Sequence, residues 1–282
     1  MKGKVCVVTG GTDGIGKAAA YGLATRGARL LVQGRDPEKG ARAVAELKAR
    51  SGNPAIEFLA ADFGSLAEVR RLAAAVLERA PRIDVLVNNA GSIFFKRAVS
   101  KDGYEMTFAV NHLAPFLLTH LLLAALELGA PSRIVTTASN AHLRAKIPFD
   151  DLQLTRKYSP MGAYGISKLA NILFTRALAR RLEGKAVSAT CLHPGFVRTN
   201  FGANNKDMGA VLKAIFRLVS RFARTPEKGA ETVIYLATSP ELHGESGGYY
   251  FDCKPLSPSA AAQDDDAAER LWQVSEQLVG VA

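Results

Sequence analysis

The chain has 282 residues, 48% of them apolar, with mean hydropathy near zero. That is a globular composition, and a chain of this length buries enough surface to need no disulfide or metal staples. The net charge of +10 is spread along the chain rather than gathered in one run, which argues for a solvated surface plus a pocket for an anionic cofactor and against a nucleic-acid partner. Cys6, Cys191 and Cys253 are odd in number, far apart and not at zinc-site spacing, so they point to a reducing compartment and no metal.

In chain order, β-type apolar runs occur at Lys4–Thr9, Arg29–Gln33, Ile56–Ala60, Ile83–Asn88, Arg133–Ala138, Ala186–Leu192 and Gly248–Phe251. Helical patterns alternate with them at Ile15–Arg26, Pro37–Arg50, Leu66–Arg79, Tyr104–Leu128, Met161–Leu182 and Pro226–Ala237. Consecutive apolar positions suit strands covered on both faces, and the alternation predicts an α/β parallel sheet of about seven strands with crossover helices, in a single domain over 1–282. Asp36-Pro37-Glu38 reads as an N-cap, an N1 proline and a first-turn acid. Asp264–Asp266 open a last amphipathic helix, Ala267–Val279, and Pro255–Pro258 reads as a loop within a C-terminal segment 255–282. The opening run Val5–Val8 is too short for a signal peptide, and the greasy stretch Phe116–Ala130 falls short of the ~20 residues of a spanning helix. A soluble, cytoplasmic protein is expected.

After the first strand comes Thr9-Gly10-Gly11-Thr12-Asp13-Gly14-Ile15-Gly16, then a helix. Glycines let the backbone turn sharply and let a pyrophosphate reach the N–H groups of a helix N-terminus. Gly10, Thr12, Asp13, Gly14, Ile15 and Gly16 are therefore candidate cofactor contacts. The second strand ends Val32-Gln33-Gly34-Arg35, with glycine where an acid would bind the ribose hydroxyl of NAD and an arginine suited to a 2′-phosphate. Asp36 could also reach the ribose, but its capping role competes. The cofactor expected is NADP (NADPH), with Lys17 adding positive charge nearby.

Tyr164 and Lys168 are four residues apart on a helical stretch and so share one face. An ammonium beside a phenol, together with the positive nicotinamide of the cofactor, favours phenolate and is expected to lower the tyrosine pKa for acid/base work. Ser139 closes the fifth strand, where an α/β sheet presents its ligands, and is placed to hydrogen-bond a carbonyl. Asn111 precedes Pro115 by four residues. Proline has no N–H, so the helix should kink there and free the Asn111 carbonyl to hold a relay water.

Together Thr9-Gly10-x-x-x-Gly14-x-Gly16, Asn88-Asn89-Ala90-Gly91, Asn111, Ser139, Tyr164-x-x-x-Lys168 and Pro194-Gly195-x-Val197-x-Thr199 resemble the short-chain dehydrogenase/reductase family, in its order. The resemblance implies a Rossmann-type doubly wound sheet and oxidoreduction between an alcohol and a ketone or aldehyde, with Tyr164 as acid/base, Lys168 on the nicotinamide ribose, Ser139 on the carbonyl and Asn111 on the relay water. It further implies that Asp62 and Phe63 flank the adenine, and that Asn89, Ala90 and Gly91 line the cofactor near its ribose. Pro194, Gly195, Val197 and Thr199 would meet the nicotinamide end. Gly34-Arg35-Asp36-x-x-Lys39-Gly40, Asn111-His112-Leu113-Ala114-Pro115-Phe116 and Tyr249-Tyr250-Phe251-Asp252-Cys253 are similar to the retinol-dehydrogenase-like branch, whose animal members usually begin with a membrane anchor not seen here.

Residues 200–225 carry an apolar helical face (Met208, Val211, Leu212, Ile215, Leu218, Val219, Phe222) and a basic one (Lys213, Arg217, Arg221). They read as a lid over an apolar substrate, as a surface helix making weak contact with anionic lipid, or as a helix packed on the core. A small apolar carbonyl or alcohol substrate and a homo-oligomer are expected. An NADP(H)-sensing scaffold without turnover is the rival reading, and retention of both Tyr164 and Lys168 argues against it. His142 and His193 are set near the site mouth without a role.

Overall fold

The computed structural model describes residues 1–197 and 223–281. Thr199 and all but the last three positions of the 200–225 segment lie outside that range, so the readings placed on them are not addressed by it.

The strands are β1 (Val5–Val8), β2 (Arg29–Gly34), β3 (Ile56–Ala60), β4 (Val85–Asn88), β5 (Ser132–Thr137), β6 (Val187–Leu192) and β7 (Tyr249–Phe251). All seven pair in parallel, as the doubly apolar runs require, in the order β3-β2-β1-β4-β5-β6-β7. An eighth strand, β8 (Lys254–Pro255), closes the edge antiparallel to β7. Of the loop expected at Pro255–Pro258, only Pro255 is taken into this strand, while residues 256–258 lie outside regular structure; a proline fits an edge strand because its missing N–H faces no partner. The order reverses between β1 and β4, the place where open sheets of this kind bind ligands beyond the strand ends.

The helices are α1 (Gly14–Ala24), α2 (Pro37–Ser51), α3 (Leu66–Arg79), α4 (Met106–Phe108), α5 (Ala114–Leu128), α6 (Pro160–Arg181), α7 (Pro226–Thr238) and α8 (Asp265–Val279). One face of the sheet buries Leu23, Leu30, Val32 and Val233, among others, under α1, α2 and α7. The other buries Leu72, Leu86, Phe116, Leu117 and Leu173 under α3, α5 and α6. Asp36 caps α2 as expected, its Oδ1 accepting from the Glu38 and Lys39 N–H groups at 2.9 and 3.0 Å.

Between α4 and α5 the chain makes a π-turn, Ala109–Leu113, with the Ala114 N–H bonded to the Ala109 carbonyl. The kink expected at Pro115 is thus one widened turn, which takes up the proline by shifting the ladder from i−4 to i−5. The stretch Met106–Leu128 is long and apolar enough to cross a bilayer, but most of it lies inside the protein as the central helix of the core. His112 sits in that core and meets Ser275 Oγ of α8 at 2.9 Å, its pKa pushed down to about 4 by burial.

Candidate active site

Thr9 at the end of β1 joins the glycine turn to β4. Its hydroxyl accepts from the Asn89 and Ala90 N–H groups at 3.0 and 3.1 Å. Buried Gln33 fastens the other side, its Oε1 accepting from Gly10 N–H at 2.9 Å and its Nε2 donating to the Ala61 carbonyl at 2.8 Å. Gly10 has φ +63°, and a side-chain carbon on Gly16 would collide with the Gly10 carbonyl oxygen and the Asn89 amide. The turn is therefore pressed against Asn89 and Ala90 at the half-buried N-terminus of α1. Only glycine allows this approach, and the cradle fits a pyrophosphate, which needs close backbone donors rather than side chains.

At the end of β2, Arg35 is exposed, and Gly34 abuts Thr12 so closely that a side-chain carbon would clash with the threonine methyl. Asp36 is occupied by its cap, and backbone N–H bonds, that of Lys39 first, hold its carboxyl below the usual range. With the acid so engaged, Arg35 is the group left to meet a 2′-phosphate. Lys17 does not add to it, because its ammonium pairs with Glu46 at 2.5 Å. Asp13 caps α1 through Gly14 N–H at 2.7 Å and pairs with Lys39 at 2.5 Å. Asp62 Oδ1 accepts from Gly64 N–H at 3.0 Å. Phe63 turns its ring into the core, 5% exposed, so only its backbone remains for a cofactor.

Tyr164 and Lys168 lie one turn apart on α6, with the Lys168 ammonium 5.6 Å from the tyrosine ring centre. The Tyr164 hydroxyl bonds Ser139, and desolvation pushes it up to about 12. Lys168 is buried, donates to the Thr137 carbonyl at 2.9 Å, and is pushed down to about 8 by the same burial. In the ligand-free protein desolvation raises the Tyr164 pKa, whereas the lowering expected from the sequence belongs to the site with the cofactor's positive nicotinamide in place. Tyr164 therefore rests as the neutral phenol.

Asn111, on the π-turn, is fully buried. Its amide accepts from Ser92 N–H at 2.8 Å, and donates to the Ser92 carbonyl at 2.9 Å and to Ser167 Oγ at 3.0 Å. The side chain is thus consumed in holding the loop after β4 onto α6. A side-chain carbon on Gly91 would sit 3.2 Å from Asn111 Oδ1 and 3.3 Å from Lys168 Nζ, so Gly91 adjoins both. Ile15 and Val197 meet across Gly229 at the start of α7, which brings the glycine turn to the Pro194–Val197 segment. Every described candidate is thereby gathered at the C-terminal ends of β1, β2, β3, β4, β5 and β6.

His142, left without a role by the sequence, is buried behind Ser139. Its Nδ1 lies 2.7 Å from the Ser139 carbonyl and its Nε2 accepts from Ser259 N–H at 3.2 Å. These two bonds require the neutral tautomer with the proton on Nδ1, and burial lowers its pKa accordingly. No local pattern signals this role, since Ser259 lies 117 residues away.

The nucleotide cradle at the sheet's reversal point, joined to half-buried Tyr164 and Ser139 beside buried Lys168, defines a dinucleotide-linked oxidoreductase fold. The sequence profile described as short chain dehydrogenase matches residues 4–209, and the chain belongs to that family. Within it the chain falls in the retinol-dehydrogenase-like branch: it is 43% identical to retinol dehydrogenase 14 of Homo sapiens over 100% of its own length and 88% of that protein's. It is also similar to a short chain dehydrogenase of Burkholderia cenocepacia solved in complex with NADP (29% identity, TM-score 0.68, covering 93% of this chain and 99% of that one). The RhlG/NADP active-site complex of Pseudomonas aeruginosa is likewise similar, at 29% identity and TM-score 0.69 over 88% and 94%.

Proposed function

We propose that the protein uses NADPH to reduce an apolar ketone or aldehyde, retinoid-, steroid- or quinone-like, to the alcohol. It is an NADP(H)-linked oxidoreductase of the alcohol–carbonyl pair, and the observation that carries the reading is the meeting of Tyr164, Lys168 and Ser139 at the C-terminal end of β5, with the Lys168 ammonium 5.6 Å from the Tyr164 ring centre and bonded to the Thr137 carbonyl. NADPH supplies the hydride. Ser139 and Tyr164 both present hydroxyls to a carbonyl oxygen, and Tyr164 gives its proton to that oxygen as negative charge develops there. Lys168, charged below about pH 8, stabilises the phenolate left behind. Pro115 cannot donate to the Asn111 carbonyl, so this main-chain oxygen, rather than the occupied side chain, is the one proposed to hold a water that returns the proton.

Gly10 to Gly16 hold the pyrophosphate, Arg35 the 2′-phosphate, Asp62 and the backbone of Phe63 the adenine. Asn89, Ala90, Gly91 and Lys168 take the ribose, and Pro194, Gly195 and Val197 the nicotinamide. Support for an apolar substrate comes from exposed Leu143, Met161 and Phe196, one on each of the three segments that carry Ser139, Tyr164 and the nicotinamide contacts. The three free thiols support a reducing, cytoplasmic setting.

The test is Tyr164→Phe, assayed by NADPH absorbance over a panel of aldehydes, ketones and quinones. The expected result is unchanged NADPH affinity with turnover lowered at least ~10²–10⁴-fold, the worth of positioned proton transfer. Near-normal turnover in that variant overturns the scheme.

A further inference from the structure

Four residues beside the site form a lattice for which the steps above have no use. The His193 ring stacks parallel on Phe251, with 4.2 Å between centres and 7° between planes. The Arg224 guanidinium lies over the same phenyl ring at 4.7 Å, in position for a cation–π contact. Arg224 also forks onto the Asp252 carboxylate through both terminal nitrogens, the second at 2.9 Å.

The lattice grips one short stretch of chain. Gly195 N–H donates to His193 Nδ1 at 3.2 Å, and burial, pushing His193 down to about 4, keeps that nitrogen free to accept at neutral pH. Arg224 N–H donates to the Phe196 carbonyl at 2.8 Å, and Val197 pairs with Arg224 in a parallel bridge. Gly195 has φ +79°, and a side-chain carbon there would press on Arg224 Cδ and Nε at 3.1 Å and on Phe251 at 3.3 Å. Asp252 and Cys253 turn the chain between β7 and β8 with φ of +48° and +61°, values that non-glycine residues adopt only under constraint. Cys253 N–H is anchored to Thr232 Oγ1 of α7 at 3.2 Å.

A surface ion pair serving stability alone has no need of a strained turn on one side and a glycine-only contact on the other. We propose that Arg224 and Asp252 are positioning residues that set Gly195–Val197 against the nicotinamide end of the cofactor, an inference that rests on the nicotinamide placement proposed above. Asp252 fixes the guanidinium, the guanidinium forms the floor under Gly195, and its own backbone holds Phe196 and Val197 in register.

The test separates the two ends of the cofactor. Affinities are measured for NADPH, by its nicotinamide fluorescence, and for 2′,5′-ADP, by calorimetry, in Arg224→Met, Arg224→Lys and Asp252→Asn. Arg224→Met and Asp252→Asn are expected to weaken NADPH about fivefold, the worth of a partly exposed pair, and to leave 2′,5′-ADP within about twofold. Arg224→Lys keeps the charge without the fork and recovers part of the loss. Equal weakening of both ligands means a structural role only, and unchanged NADPH affinity means no role; either overturns the inference. Should Arg224→Met fail to fold, Asp252→Asn, which keeps the side chain's shape, decides. Failure of the underlying placement has a different signature, in the unmodified protein: 2′,5′-ADP would bind while the nicotinamide fluorescence of NADPH stayed unmoved by the protein.

Discussion

The two halves of the sheet build their share of the site by opposite means. Around β1, β2 and β4 the surfaces are backbone and glycine, braced by Thr9, Gln33 and Asn89, and the nearby charged groups other than Arg35 are engaged in caps and exposed pairs. Around β5, α6 and β6 the working groups are half-buried or buried side chains, and desolvation moves their proton affinities by large amounts: Tyr164 up to about 12, Lys168 down to about 8, His193 down to about 4. The first half recognises by shape and the second acts by desolvation. A substitution in the first half should therefore show as lost affinity, and one in the second as altered proton chemistry.

The largest effect expected from the shape half is that of Gly16→Ala. Overpacking costs about 1–3 kcal/mol, and carried into binding it weakens NADPH roughly 5- to 150-fold. Calorimetry should show this with turnover at saturating NADPH close to normal; a loss of kcat at unchanged affinity would break the division. Arg35→Ala is expected to be milder. The ratio of NADPH to NADH affinity should fall about tenfold, the worth of a charge-assisted contact to one phosphate. Equal affinities in the unmodified protein would remove the assignment of Arg35.

The smallest effect sharpens the other half. Lys168 in the free protein loses its proton above about pH 8, and an anionic cofactor favours the charged form, so binding at pH 8–9 should draw a proton onto it. NADPH affinity should be level below pH 8 and about fivefold weaker at pH 9. Lys168→Met should flatten the curve, and calorimetry in buffers of different ionisation enthalpy should count the proton. A pH-independent affinity in the unmodified protein would place the Lys168 pKa outside this window.

What could be read from the sequence is what is local. The seven parallel strands, the Asp36 cap, the glycine turn and the Tyr164/Lys168 pair each follow from residues a few positions apart. What could not be read depends on distant neighbours or on water. The π-turn at Ala109–Leu113 adds one residue to a helix, too small an offset to disturb an apolar pattern. Lys17 finds Glu46 on another helix, Phe63 turns inward among α3 and β3 residues, and the Tyr164 shift follows from the walls around it. His142 carries no local signal because the partner that defines its role, Ser259, lies 117 residues away.

The helix that carries Tyr164 and Lys168 is braced from far downstream. Trp272 of α8 stacks on Phe174 at 5.9 Å and meets Phe116 edge-on at 4.9 Å, while Arg181 lies over its indole at 4.1 Å. The bonds from Tyr104 to Leu278, Arg70 to Val279 and His112 to Ser275 join residues 163 to 209 positions apart. This sets an order of events on the ribosome. Once α6 has been made, roughly 80 more residues must follow before α8 begins, on the order of 4–16 s at ordinary elongation rates. Through that interval Phe116 and Phe174 lack their cover, and the nascent chain offers chaperones an apolar flank beside its catalytic helix. A message broken between the two helices would yield an adhesive product rather than a slow enzyme.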